Sequence, residues 1–190
     1  MMDQKRAQLR DQLMTTRSIY DRMTAGTDLL RDSHRLNMVP RLTQGCAAYL
    51  VDFPTVADLF SAVSKSQPLK ALIDAFPLTS FCTVLPLKRL EGFEAPLPVG
   101  ICAPVEYANA IHTDFSAMHM SAGPRCVRCL FKLVMGKNQS VETVLDLCMA
   151  FIREQGLHPV CDGYTRQYVW YKDETGHRCH YAEMIIPVSD

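Results

Sequence analysis

An excess of charge of either sign is missing from this chain: 20 basic side chains face 20 acidic ones. A dedicated nucleic-acid surface usually shows as a basic surplus, so the balance argues against a free-standing DNA- or RNA-binding domain. Long apolar runs are missing too. No stretch approaches the roughly 18 apolar residues of a membrane span. Asp3, Gln4, Lys5, Arg6, Gln8 and Arg10 are not followed by the apolar segment of a secretory signal. The cytoplasm is therefore the expected compartment, and no membrane partner is expected. There is no Gly-rich phosphate loop and no Gly-x-Ser-x-Gly elbow. His112, His119 and His158 have no partner at catalytic spacing. Tryptophan occurs once, at Trp170.

What is present is a globular composition: 48% hydrophobic and 21% charged residues over 190 positions. That length suits one ordinary domain with an appendage, or two small ones. The eight cysteines mostly sit inside apolar runs, as in Ile101-Cys102-Ala103 and Leu147-Cys148-Met149, where free cysteine acts as a small buried hydrophobe. They read as reduced and structural, as the cytosol favours. Cys126 and Cys129 are three apart in an apparent strand, so they point to opposite faces. They cannot clasp one zinc between them without a turn, and neither a metal nor a cofactor is expected.

Residues 3 to about 36 contain no proline and read as one helix. Leu9, Leu13, Thr16, Tyr20, Met23, Thr27 and Leu30 recur in alternating steps of four and three, a coiled-coil seam. Gly26 weakens that helix by about 1 kcal/mol relative to alanine. A narrow apolar stripe must be buried either against its own domain or against a second chain; pairing of two chains is the expectation. Residues 1–36 are thus assigned as a dimerisation helix, and 37–190 as the domain proper.

Within that domain the order strand, helix, strand, strand occurs twice. The first pass runs through Cys46–Phe53, a helix opened by Thr55, a further helical turn from Pro68, Phe81–Leu85 and Val99–Val105. The second runs through Arg125–Met135, a helix from Ser140 to Gln155 ended by Gly156, Tyr164–Tyr171 and Arg178–Val188. Both closing strands end in Pro-Val, at Pro104-Val105 and Pro187-Val188. The expected fold is α+β: duplicated β-α-β-β units (about 39–107 and 118–188) in one antiparallel sheet, helices packed on one face, preceded by the long helix.

Alternation along the last strand puts Tyr181, Glu183 and Ile185 on one face. A carboxylate between an aromatic and an aliphatic neighbour needs a cation, a proton or a cavity. An internal ion pair with Arg166 or Arg178 would also satisfy it. Tyr164, Tyr168, Trp170, Tyr171 and Tyr181 cluster in the same region, and strict alternation would put Tyr164, Tyr168 and Trp170 on one face. Aromatic walls with a single acid suit flat or lipophilic cations, although aromatics favour strands for packing alone.

These elements resemble the GyrI-like effector-binding domain, found at the C-terminus of MerR-type multidrug regulators. The resemblance covers about 39–190. It rests on Val39-Pro40-Arg41-Leu42, Ile101–Val105, Gly136, Gly163, Tyr168 and, most specifically, Tyr181-Ala182-Glu183-Met184-Ile185-Ile186-Pro187-Val188. The chain departs from the pattern at Asn138, where many members carry tyrosine, and at Arg166, where many carry glutamate. The resemblance implies a sensor of hydrophobic or cationic small molecules that regulates transcription, with Glu183 on the pocket floor. Tyr164, Tyr168, Trp170 and Tyr181 would line that pocket, joined from the first half by Tyr49 and Tyr107. The leading helix stands where such regulators carry their dimerisation helix, so DNA would be reached only through an upstream domain outside this chain. Two alternatives stay open. Some GyrI-like proteins are hydrolases that open cyclopropane rings of electrophilic compounds; here Glu183 would handle a water and Trp170 hold the substrate. Other members inhibit partner proteins.

Overall fold

The computed structural model describes residues 2–111, 113–134, 141–172 and 174–190, without the side chains of Met2, Asp3, Val169 and Trp170. The expected leading helix is two: α1 (Met2–Arg31) and α2 (Ser33–Leu36), divided at Asp32. In α1 the seam and the buried stripe run on separate faces and meet at Leu30. Leu9, Leu13, Tyr20 and Met23 are exposed, Leu13 by 70%. Ile19, Arg22, Gly26 and Leu30, at steps of three and four, turn inward instead. The second half of α1 therefore folds back on its own domain, taking Leu30 with it and leaving Leu9, Leu13, Tyr20 and Met23 of the seam exposed.

The domain runs β1 (Arg41–Gln44), β2 (Ala47–Phe53), α3 (Val56–Lys65), α4 (Gln67–Asp74), β3 (Ser80–Leu85), α5 (Leu87–Leu90), β4 (Val99–Pro104) and a 3₁₀ helix (Val105–Ala110). It continues through β5 (His119–Ala122), β6 (Arg125–Val134), α6 (Val141–Glu154), β7 (His158–Pro159), β8 (Gly163–Lys172) and β9 (Arg178–Ser189). Local chemistry explains several boundaries. Thr55 accepts from the Asp58 amide at 3.2 Å and donates to the Asp58 carboxylate at 2.7 Å, so Thr55 is the N-cap of α3. Ser66 caps α4, with Pro68 in its first turn. Gly156, at φ +67°, follows α6. Ser140, Gly136 and Asn138 lie outside the described residues.

The described strands form one antiparallel sheet in the order β1-β6-β9-β8-β3-β4-β2-β5, with β7 beside β9. Its halves are β-α-β-β repeats joined where β3 meets β8, Val84 opposite Tyr164 and Leu85 opposite Gly163. Each half lends its leading strand to the other: β1 pairs with β6, and β5 with β2. The two leading segments cross at Gly45, where a Cβ would lie 2.1 Å from the Gly123 carbonyl oxygen. Only glycine allows so close an approach of two backbones.

Alternation sorts the core. Phe81 and Leu85, four apart in β3, share the face that packs under the helices: Leu59 and Leu72 from α3 and α4 in one half, Val144, Leu145, Cys148 and Ile152 from α6 in the other. The opposite face carries Leu50, Val84, Cys102, Cys126, Tyr164 and Ile185, which pack directly on one another. Cys126 belongs to this second face and Cys129 to the first, as their spacing requires. No helix among the described residues is long and apolar enough to cross a membrane.

Candidate functional site

Glu183 lies on the face opposite α3, α4 and α6, as alternation predicts, and is 1% exposed. The strand register brings three arginines to it. Arg166 is its cross-strand partner in β8. Arg128 sits opposite Ile185 in β6, and Arg41 opposite Arg128 in β1. Glu183 Oε1 accepts from Arg41 Nη2 at 2.9 Å. Oε2 accepts from the Tyr168 hydroxyl at 2.9 Å and lies 3.4 Å from Arg128 Nη1 and 3.5 Å from Arg166 Nη2. The carboxylate is thus an internal ion-pair partner. Arg166 is among its arginines, as one sequence reading allowed; Arg178 is not. Burial opposes the charge of Arg166, yet the Tyr168 and Glu183 oxygens beside it outweigh that and raise its pKa.

This arrangement alters the chemistry expected of Glu183. Three guanidiniums more than neutralise one carboxylate, so the group has no charge left to recruit a cationic ligand. Both oxygens already accept from donors, and Tyr168 stands between the carboxylate and the cavity beside it, so Glu183 is not set to touch a substrate water there for the hydrolase role.

Tyr168 connects this cluster to α1. The register of β8 against β9 shifts between Gln167 and Val169, a bulge centred on Tyr168. A bulge re-aims a side chain, and it breaks the strict alternation behind the shared face of Tyr164, Tyr168 and Trp170. The Tyr168 hydroxyl points to Glu183, while its ring has Arg22 Cζ 4.6 Å and Arg166 Cζ 5.1 Å from its centroid. Both distances are in cation–π range. A Cβ on Gly26 would lie 3.3 Å from Tyr168 Cδ1, so the weak point of the helix is also its point of closest approach to the sheet.

Beside this contact is a cavity of about 520 Å³. Arg22, Gly26 and Leu30 of α1 form one wall; Ile73, Phe76, Phe81 and Tyr168 form others. Arg22 is the one charged side chain among the described lining residues. It is 5% exposed, and its Nε has no hydrogen-bond partner among them.

Of the expected pocket aromatics whose side chains are described, Tyr168 alone borders this cavity. Tyr164 is 1% exposed and packs in the core of the face opposite α3, α4 and α6, where the two halves meet. Tyr181 stacks on Tyr171, with centroids 5.9 Å apart. Tyr49 stacks on Phe115 at 4.5 Å, on the helix-covered side. Tyr107, in the 3₁₀ helix, packs against the same core cluster. Trp170 pairs with His180 in β9, and its side chain lies outside the described residues. Glu183 does not border the cavity, since Tyr168 stands between them. Arg22 was missed in the sequence, although Ile19, Arg22, Gly26 and Leu30 form a second helical stripe beside the seam.

No cysteine forms a disulfide among the described residues. Cys46 and Cys126 bring their Sγ atoms to 2.7 Å. Either thiol can donate in this contact; once Cys46 ionises, the Cys126 thiol donates to the thiolate, and against the opposing effect of burial, with help from nearby Arg128, this lowers the Cys46 pKa to about 6. The Cys126 thiol is correspondingly pushed up. Among the described residues no group of three His, Cys, Asp or Glu is placed to hold a metal.

No protein-family profile matches the sequence, and no curated protein matches it. Solved structures with a similar chain trace include the EcmrR C-terminal domain, 16% identical over 80% of this chain and 96% of that one, with a TM-score of 0.45. SAV2435 bound to tetraphenylphosphonium is 9% identical over 79% and 93% of the respective chains, with a TM-score of 0.39. A Staphylococcus aureus MU50 protein, described as a candidate bacterial transcription regulator, is 8% identical over 80% and 97%, at 0.37. At such identities and scores these likenesses carry no argument about ligand or activity.

Proposed function

We propose that this chain is a small-molecule sensing domain of the GyrI-like kind, whose ligand enters the cavity beside Tyr168 and whose occupancy is read through α1. The observation that carries this reading is the shared wall: Arg22, Gly26 and Leu30 of the helix and Phe81 and Tyr168 of the sheet border one space of about 520 Å³. That volume is in the range of small-molecule sites, roughly 300–1,000 Å³. A ligand there touches helix and sheet at once, so its affinity depends on how α1 sits, and α1 must respond to it in turn. The lipophilic part of the expectation is kept, because Ile73, Phe76 and Phe81 offer an apolar surface.

The outward seam of α1 supports a second part of the proposal, pairing of two copies through Leu9, Leu13, Tyr20 and Met23. In a MerR-type arrangement the same helix leads to a DNA-binding domain, and DNA contact would pass through that domain.

Hydrogen exchange tests the reading. A screen of lipophilic compounds should yield ligands that raise the melting temperature and change amide protection in residues 19–31. Binding that leaves this segment unchanged would end the sensing role of α1, and loss of all binding would end the site itself. Leu13→Glu in sedimentation should give monomers where the parent chain gives dimers; a monomeric parent would remove the pairing.

A further inference from the structure

Resting on that reading, we infer that the ligand is a lipophilic anion, an apolar body bearing one negative group that seats against Arg22. The charge inventory of the cavity points this way. Its described lining contains no aspartate or glutamate and one arginine. Arg22 is 5% exposed, has no acidic side chain paired with it among the described residues, and keeps a buried Nε without a hydrogen-bond acceptor. A guanidinium removed from water without an acceptor is costly, and a ligand that supplies the acceptor recovers that cost. The surroundings do not substitute for it. Face contact with the Tyr168 ring, at 4.6 Å, supplies no in-plane acceptor, and the Nε–H is left without one among the described residues.

The neighbouring cluster adds to the same field. Arg166 Cζ lies 5.1 Å from the centroid of the same Tyr168 ring that Arg22 faces. Behind it Arg41, Arg128 and Arg166 share the one carboxylate of Glu183. A cation entering the cavity would meet uncompensated positive charge in a region of low dielectric, whereas an anion would be drawn in. The walls offered by Ile73, Phe76 and Phe81 require that the rest of the ligand be apolar. A carboxylate or sulfonate on an aromatic body has that chemistry.

The test uses two ions of nearly equal shape and opposite charge, tetraphenylborate and tetraphenylphosphonium, titrated calorimetrically into the full chain. The borate should bind at least tenfold more tightly. Arg22→Gln should erase the preference, and Arg22→Lys should keep most of it, with thermal melts confirming that both variants fold. Tighter binding of the phosphonium, or a borate preference that survives in Arg22→Gln, would overturn the assignment while leaving the sensing reading in place. Binding of neither ion, together with an empty screen of neutral lipophilic compounds, would bring down both.

Discussion

The Tyr168 hydroxyl donates to Glu183 Oε2 at 2.9 Å, and it does so from a bulge that also sets the phenol ring beneath Arg22 of α1. One side chain therefore joins the interior ion-pair cluster to the helix that covers it. Glu183 acts in this relationship as an anchor. It holds three arginines and a phenol in place, and it reaches the cavity only through Tyr168.

Replacing that anchor should be severe. Glu183→Gln keeps the shape and removes the one negative charge among Arg41, Arg128 and Arg166. Breaking a buried pair from one side costs about 3 kcal/mol or more, because unmatched charge stays behind. Urea denaturation should show a loss of that size, partly recovered when Arg166→Met is added. A loss below about 1 kcal/mol would fit a solvated carboxylate and would contradict the cluster.

Gly26 should tolerate little beyond alanine. Alanine gains about 1 kcal/mol of helix propensity but sets a methyl group 3.3 Å from Tyr168 Cδ1, so Gly26→Ala is expected to be close to neutral. Gly26→Leu cannot fit without lifting α1. Amide exchange should then accelerate in residues 19–31 and stay slow in β6 and β9. Unchanged protection of α1 in Gly26→Leu would show that the helix is not seated on Tyr168.

How far the sequence foretold this can be traced residue by residue. The strands with apolar runs were legible, as were the helices α3 and α6, because burial on one face imposes a period. The Arg41–Gln44 and His119–Ala122 segments were not, since four mixed residues show no period; pairing with the other half defines them as strands. Glu183 stood out as an acid on an apolar strand. Its partner Arg41, 142 residues away, could not, because that contact depends on the exchange of leading strands. The aim of Tyr168 was hidden by a bulge that no residue type announces. In α1 two stripes competed, and the more apolar one proved to be the outward one; a stripe containing arginine and glycine is buried here because it meets an aromatic ring.

Cys46 should be the most reactive thiol at neutral pH. It is half-buried, and its pKa is lowered to about 6, first by the Cys126 thiol that donates to it. An ordinary cysteine titrates near about 8.5, and the thiolate is the reacting form. Iodoacetamide at pH 7 followed by peptide mass mapping should label Cys46 ahead of the others, with half-maximal rate near pH 6. Cys126→Ala removes the donor and should move that midpoint upward. Equal labelling of Cys46 and Cys161, the other half-buried cysteine, would contradict the pairing.

His180 should make the fold acid-sensitive near pH 6. It is 8% exposed in β9, and burial pushes its pKa below the usual 6.5. Above pH 6.5 the imidazole is neutral in both folded and unfolded chains, and the shift has no effect. As the pH falls through 6.5 the unfolded chain takes up a proton that the folded chain resists, so the unfolded state gains stability. The loss is at most about 1.4 kcal/mol per pH unit, and it levels off once the folded-state pKa is passed. Carboxylates also contribute at low pH, so the measurement is a difference: urea midpoints of wild type and His180→Gln at pH 8, 6 and 5. The wild type should lose more stability between pH 8 and 5 than the variant. Parallel curves would mean that His180 is protonated as easily inside the fold as outside it.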